Sequence, residues 1–419
     1  MKRVLMVAFH FPPMAGSSGI QRTLRFVQHL PSFGWQPLVL TASAHAYERT
    51  SDDLISAVPP GTPVQRAFAL DTTRHLSIGG RYIGAMARPD RWMSWRFDAV
   101  RQGMRMIRDF RPDAIWSTYP IATAHVIAAE LQRRSGLPWL ADFRDPMAQD
   151  GYPADPLIWQ AYQQIEKNAI QNASYSTFTT PGAADEYRIR YPEVATRISV
   201  LENGYDEEAF VDANALADAA LPLIPGSVTL LHSGIVYPSE RDPTQLMQAL
   251  RLLHDKGVIE PGKFKIRFRA SVAEELLHGL AAKYGVLQYI ETPPPVAYKA
   301  ALAEMLCADG LLIMQASNCN AQIPAKLYEY LRARRPILCL SDPVGDTALV
   351  LTNSGINAIA KIDDVKEIFK LISQFLSHKT SDDLRTFPDD DFVKTASRRY
   401  RTAQLSELLN ELEIRGLKK

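Results

Sequence analysis

The sequence predicts an α/β protein built from two Rossmann-like, doubly wound halves in tandem. Three observations carry that reading. The chain has 419 residues, too many for one hydrophobic core. From residue 4 onward, short apolar runs alternate with stretches of helical spacing. The alternation stops in the small-residue, proline-containing stretch "DANALADAALPLIPGS" at 212–227, and then it starts again.

Each element follows in turn. Residues 4–9 are a short apolar run, as expected of a strand covered on both faces. The N-terminus "MKRVLMVAFHFPP" begins like a secretory leader, but its apolar run stops at His10 and two prolines follow, so it reads as a first strand. The loop "PPMAGSSG" leads into a helix with Ile20, Leu24, Val27 and Leu30 on one face, and "QPLVLTAS" is the next strand. Further units are "DAIWSTYP" with helix 121–135, "PWLADFRDP" with helix 156–172, and "YSTFTTP" with helix 182–190. "RISVLENGYD" closes the first half, which is assigned to 1–211, with 212–227 as the linker. The second half, 228–392, opens on the strand "VTLLHSG", followed by helix 243–256, strand "FKIRFRAS" and helix 272–284. "LQYIE" and "GLLIMQ" flank helix 296–307, and "QIPAKLYEYLRARRPILCLS" gives a turn, a helix and a buried strand. The last stretch, 393–419, reads as an amphipathic helix free to cross back to the first half.

Bulk properties narrow the function. Hydrophobic residues make up 46% and charged residues 22%, an ordinary globular balance. The formal charge is +1, so no global field recruits nucleic acid. Cys307, Cys319 and Cys339 have neither metal-ligand spacing nor a disulfide framework, which fits a reducing cytoplasm. No apolar run is long enough to span a membrane. The Gly-x-Gly-x-x-Gly fingerprint of dinucleotide oxidoreductases is absent.

Open α/β sheets bind ligands at the carboxyl ends of their strands. Two such sheets facing each other would form a cleft, so the chemistry is expected in the strand-end loops. In "PAKLYEYL", Pro324 stands in the first turn, Leu327 and Leu331 form the apolar stripe, and Lys326 and Glu329 fall on the opposite side. The N–H groups of Ala325, Lys326 and Leu327 offer an anion site, and the Glu329 carboxylate suits a ribose diol. The alternative is an exposed Lys326–Glu329 pair at i,i+3. In "LADFRDPM", Asp142, Arg144 and Asp145 need partners if buried. Asp142 or Asp145 would orient a hydroxyl of a bound molecule while Arg144 holds an acidic group of it; alternatively, an internal Asp–Arg pair fixes the loop. Gly16, Ser17, Ser18 and Gly19 precede a helix and could hold an acceptor through N–H groups, or form a flexible loop. His10 follows the first strand, at the cleft edge or packed inside.

"PAKLYEYLRARRPILCL" resembles the C-terminal signature of retaining, family 4-like glycosyltransferases of the GT-B fold. Other pieces come in that family's order: "FHFPPMAGSSGIQR" is similar to its N-terminal glycine-rich acceptor loop, "ENGYDEEAF" to the turn before its hinge, and "HSGIVYPSERDPTQLMQAL" to the first loop of its nucleotide-sugar domain. The resemblance implies a GT-B protein whose two Rossmann-like domains face across a cleft. It implies transfer of a sugar from a nucleoside-diphosphate donor to a hydroxyl of a glycan or lipid-linked acceptor, with retention and with neither metal nor cofactor. The setting implied is cell-envelope or exopolysaccharide synthesis, in the cytoplasm or at the inner face of the membrane. It places Gly234 and Arg241 against the donor diphosphate, with Arg241 and Lys326 offsetting leaving-group charge, and Thr292 in the loop that reads the base. The family's first motif glutamate is replaced by Ala321, with Asn320 and Gln322 beside it. Either an amide takes over the sugar hydroxyls or the helix belongs to a variant subgroup. The family's frequent histidine falls where Arg144 stands. These departures support a second reading, a catalytically silent GT-B subunit that binds glycan or scaffolds an assembly. A nucleotide-sugar epimerase is a third.

Finally, "RHLSIGGRYIGAMARPDRWMSWRFDAVRQGMRMIRDFR" at 74–111 holds nine arginines against three aspartates, interleaved with Tyr82, Trp92, Met93 and Trp95. Basic charge beside interfacial aromatics is what contact with an anionic membrane needs. Ordinary helices with arginine-rich solvent faces are the alternative.

Overall fold

The computed structural model describes residues 1–17, 19–218, 222–377 and 384–416. The chain divides into two compact units, 1–202 with 398–419, and 203–397. The fold class read from the sequence is the one found.

The first unit carries seven strands: β1 (Lys2–Val7), β2 (Trp35–Ala42), β3 (Val64–Ala67), β4 (Ala114–Thr118), β5 (Trp139–Arg144), β6 (Tyr175–Phe178) and β7 (Ile198–Val200). They form one parallel sheet in the order β3-β2-β1-β4-β5-β6-β7. Val4, Met6, Leu38 and Leu40 are fully buried, because helices cover both faces and the strands read as unbroken apolar runs. The strand order reverses between β1 and β4, and this reversal is the point where open sheets accept ligands.

The second unit repeats the plan with β8 (Val228–Ser233), β9 (Phe264–Arg269), β10 (Ile290–Glu291), β11 (Gly310–Met314), β12 (Ile337–Leu340) and β13 (Ile359–Ala360). Their order is β10-β9-β8-β11-β12-β13, again all parallel, with the reversal between β8 and β11.

Two boundaries differ from the sequence reading. The division falls after Glu202 rather than at 211, and Glu207–Asp218 is a helix where the linker was placed. Small residues suggested a linker, but Ala209, Phe210, Ala213 and Ala217 are buried at helical spacing, the first three in the second unit's core. Alanine is the strongest helix former, and the prolines come only at 222 and 225. Residues 219–221 of the expected linker lie outside the described residues. At the other end, the chain makes a short helix at Asp390–Thr395 and a long one at Arg398–Gly416. The long helix belongs to the first unit, where Leu405, Leu409 and Leu412 pack with Leu24, Val27 and Trp35. Asn410 ties it further by accepting from Lys2 Nζ at 3.1 Å and from Trp35 Nε1 at 3.2 Å.

Candidate functional site

In the second unit, the expected donor residues gather at the ends of β8 and β11. β8 ends at Ser233, and Gly234 follows with φ +115°. A Cβ at Gly234 would lie 3.2 Å from Lys326 Nζ, so glycine meets both the backbone and the space requirement. The helix Lys326–Ala333 is held to this strand end by the buried Tyr330, whose hydroxyl accepts the Ser233 N–H at 2.8 Å. Lys326 Nζ stands 3.0 Å from His232 Nε2. The other ring nitrogen, Nδ1, is 3.0 Å from the Leu312 carbonyl, which can only accept, so Nδ1 carries the proton and Nε2 accepts from Lys326. Burial, and next the neighbouring Arg241, push the Lys326 pKa well below the ordinary lysine range, although Glu329 opposes them. Burial and Lys326 likewise hold His232 far below the usual histidine value. A phosphate beside Lys326 would favour its charged form and oppose that lowering.

Arg241 folds back to donate from Nη1 to the Ile235 carbonyl at 2.6 Å, and its guanidinium lies 5.0 Å from the Tyr237 ring. Asp242 is occupied by Thr244, accepting its N–H at 2.9 Å and its hydroxyl at 2.6 Å. Glu329 is half-buried one turn beyond Lys326 and accepts the Tyr298 hydroxyl at 2.7 Å. The simple Lys326–Glu329 surface pair is not what forms, because each has another partner.

Several donor-side expectations are corrected. Leu327 is fully buried and its N–H already donates to the Pro324 carbonyl at 2.9 Å, so it offers no group to an anion. Ala325 remains exposed at the helix N-cap. Asn320 gives its amide to Asp342 at 2.8 Å and fixes the following turn, where a Cβ on Gly345 would come within 2.8 Å of its Oδ1. The Gln322 side chain is exposed, but its carbonyl is the anchor that accepts Gln315 Nε2 at 2.9 Å and Thr347 Oγ1 at 3.1 Å. Thr292 pairs its hydroxyl with His278 Nε2 at 3.0 Å, in a loop that Arg269 clamps by donating to the Pro294 carbonyl at 2.6 Å.

In the first unit the loop after β1 meets the end of β5. Ser17 Oγ lies 3.2 Å from His10 Nδ1 and accepts the Gly19 N–H at 3.2 Å. A Cβ at Gly19 would fall 2.4 Å from His10 Nδ1 and 3.0 Å from Arg144 Nη1, so glycine lets the helix Gly19–His29 begin against both side chains. Burial, and then the Arg144 charge, bring the His10 pKa down to about 4. Arg144 has φ +63°, an uncommon conformation for a side-chain-bearing residue. It donates to the Tyr119 carbonyl at 3.3 Å, while its Nε is enclosed without a partner. Asp145 is exposed beside it, with one oxygen 3.4 Å from Thr179 Oγ1. Gly16 is exposed with φ +82°, and Ser18 lies outside the described residues.

Asp142 is a correction. It is wholly buried, and both oxygens are filled: Arg22 forks onto them at 2.8 and 2.9 Å, Thr118 adds 2.8 Å and Thr177 adds 2.9 Å. Burial alone would raise its pKa, but Arg22 outweighs that and holds it below the usual carboxylate range. A carboxylate so occupied has no lone pair for a substrate. The Asp–Arg pair that fixes the loop therefore exists, but its arginine is Arg22 and not Arg144. Arg22 also donates to the carbonyls of Leu201 at 2.9 Å and Glu202 at 3.1 Å, tying β5 to the segment after β7.

Sequence reasoning missed four residues here: Arg22, His232, Gln315 and Tyr298. Gln315 is nearly buried at the end of β11, donates to the carbonyls of Cys319 at 2.6 Å and Gln322, and accepts Thr347 Oγ1 at 2.6 Å. Its signal was a polar residue closing an apolar strand. Arg22 offered one too, a charge on the buried face of an amphipathic helix.

The two parallel sheets, each with charged side chains gathered at its switch point, have the architecture of the GT-B fold. Residues 18–204, within the first unit but for the last two, match the model of the glycosyl transferase 4-like domain. No curated protein matches the chain. Among solved structures, it is similar to sucrose-phosphate synthase (tll1590) from Thermosynechococcus elongatus, with TM-score 0.64, 12% identity, and coverage of 98% of this chain and 99% of that one. It is similar to Anabaena Alr3699/HepE in complex with UDP-glucose, with TM-score 0.59, 13% identity, and coverage of 100% and 99%. The lipopolysaccharide outer core galactosyltransferase WaaB has TM-score 0.59, 11% identity, and coverage of 97% and 99%. At these identities the likeness is one of fold.

Proposed function

We propose that the chain transfers a sugar from a nucleoside-diphosphate donor, held by the second unit, to a hydroxyl of a glycan or lipid-linked acceptor, bound by the first. The observation that carries this is the meeting of Gly234, Lys326 and His232 where β8 ends, with Glu329 one turn away. Gly234 lets the diphosphate approach the backbone. Lys326 meets the arriving phosphate through its ammonium, and Arg241 unfolds from Ile235 to join it. Glu329 exchanges the Tyr298 hydroxyl for the ribose diol. The anomeric carbon–oxygen bond to phosphate breaks, the cations hold the charge that develops, and the acceptor oxygen bonds to the same face of the sugar. The acceptor proton passes to the leaving phosphate or to Asp145, the exposed carboxylate of the β5 loop. Arg144 and His10 hold the acceptor's polar groups. In this reading the protein works in the cytoplasm, at the inner membrane face, in envelope or exopolysaccharide synthesis. The UDP-glucose bound by HepE and the lipopolysaccharide in WaaB's name support this choice of donor and acceptor classes.

The test is a panel of UDP-, GDP- and ADP-sugars, read first by thermal shift and then by release of nucleoside diphosphate in the presence of acceptor extracts. Binding with release supports transfer. Binding without release supports the silent-subunit reading, which the engagement of Asn320 with Asp342 beside Ala321 favours. Sugar isomerisation without acceptor would indicate an epimerase. No binding of any donor would refute the proposal.

A further inference from the structure

Residues Ile78 to Met86, "IGGRYIGAM", are exposed at all nine positions. Four are large and apolar: Ile78 is 88% exposed, Ile83 69%, Tyr82 44% and Met86 41%. Single exposed apolar side chains are ordinary, but four in one short run are a patch. The run has a defined shape. Ile78 and Arg81 exchange backbone hydrogen bonds of 2.9 and 3.1 Å, and Gly79 and Gly80 have φ +58° and +77°. Positive φ at both central positions is the two-residue turn that closes a hairpin. Its far end is fixed by Thr72, whose hydroxyl donates to the Met86 carbonyl at 2.9 Å, and by the Thr72 N–H, which donates to the Arg91 carbonyl at 2.8 Å. The chain thus builds a turn that holds apolar side chains in water.

The next long element, the helix Trp95–Phe110, supplies charge. Phe97 is 70% exposed, and Arg101, Arg105 and Arg108 follow at helical spacing, also exposed. Between this helix and Ala122–Ser135 runs a groove of about 600 Å³, lined by Arg96, Arg101, Arg105, Arg108 and Arg134 with one acid, Glu130. Arg101, Arg108 and Arg134 lean on Asp98, Asp109 and Glu130. Such exposed pairs are worth little in water and exchange readily for a phosphate. An apolar turn followed along the chain by a basic helix complements a surface that offers hydrocarbon beneath a layer of anionic phosphates.

We propose that Ile78–Met86 inserts into the headgroup region of the bilayer leaflet that faces the protein, an anionic one, while the arginines of Trp95–Phe110 hold lipid phosphates. This rests on the reading that the acceptor is lipid-linked, and it names the element that brings the enzyme to it. Tyr82 suits the boundary, with an apolar ring and a polar tip.

The test is co-sedimentation of the full chain with vesicles of phosphatidylcholine alone, or of phosphatidylcholine mixed with phosphatidylglycerol. The wild type should sediment with the mixed vesicles and lose binding as salt rises. Arg101→Gln with Arg105→Gln should weaken it by about fivefold for each charge removed. Ile78→Asp with Ile83→Asp should abolish sedimentation and leave melting temperature and UDP binding unchanged, because both side chains are exposed. Equal binding to both vesicle types, no binding, or wild-type binding by the isoleucine variant would overturn the inference. A chain that binds donors but no vesicles would lose this inference and keep the proposed function; vesicle binding without donor binding would do the reverse.

Discussion

Removing the Asp142 carboxylate separates a structural role from a catalytic one. In Asp142→Ala the Arg22 guanidinium, itself only 3% exposed, is left charged without its fork partner. Thr118 and Thr177 lose the acceptor for their hydroxyls. Breaking a buried pair by deleting one partner costs about 3–5 kcal/mol. For a unit of this size that is a fall in melting temperature of roughly 6–20 °C. Differential scanning calorimetry on the whole chain reads it, as the transition of the first unit. The double variant Arg22→Met with Asp142→Leu should recover part of the loss, since no orphan charge remains. Acid gives an independent check. The folded pKa of Asp142 is lowered, so its contribution is present above the unfolded value of about 3.9 and is lost as pH falls through the folded one. Asp142→Ala should therefore show a shallower acid limb than the wild type. The reasoning fails if Asp142→Ala melts within about 2 °C of wild type while sugar transfer collapses. Asp145→Asn, by contrast, should leave the melting temperature alone and lower transfer.

Three further outcomes are expected. Gly234→Ala forces a φ of +115° on a side-chain-bearing residue and drives a methyl toward Lys326; the strain of about 1–3 kcal/mol should appear as weaker UDP binding by calorimetry, and unchanged affinity would place the diphosphate elsewhere. Donor binding should take up protons, because a phosphate raises the lowered pKa of Lys326: affinity falls as pH rises through the window between its free and bound values, titrations in buffers of different ionisation enthalpy show the uptake, and Lys326→Met lacks it. Glu329→Ala should weaken donor affinity by about 1–3 kcal/mol, whereas Tyr298→Phe, which removes only the hydroxyl held in the empty site, should bind donor as well or better; equal losses in both would mean that the pair is structural.

The fold was legible because its strands are buried on both faces, and long apolar runs such as Val4–Phe9 and Gly310–Met314 leave little ambiguity. Edge elements were not. β3 reads Val-Gln-Arg-Ala and β13 is two residues long, too polar or too short to show a period. The helices Asp346–Asn353, only eight residues long, and Val365–Leu376, which follows the two-residue β13, went unread. At the site, Lys326, Glu329 and Gly234 were legible as a short motif on one helix and one strand-end glycine. The partners of charges were not. Asp142 pairs with a residue 120 positions earlier, and Lys326 with a histidine 94 positions earlier. Those distances are set by which strands lie side by side, and no local spacing encodes that.

The two buried charge systems follow one physical rule to opposite ends. Desolvating a charge is costly unless its polar groups are matched. At Asp142 the match is complete: two oxygens meet a bidentate arginine and two hydroxyls, the pKa falls, and the loop after β5 is fixed. At Lys326 it is deliberately incomplete in geometry. One proton is shared with a neutral imidazole whose own proton is committed to Leu312, burial and then the charge of Arg241 act on the lysine, and its pKa is driven down. His232 cannot neutralise the ammonium as a carboxylate would, and Glu329 is drawn aside to Tyr298. Replacing His232 by glutamate would supply the missing charge, raise the Lys326 pKa, and so remove the advantage of an arriving diphosphate. His232→Glu should therefore raise the Lys326 pKa yet bind UDP more weakly than wild type. Tighter binding in that variant would show that Lys326 needs only charge, and that its lowered pKa has no part in donor recognition.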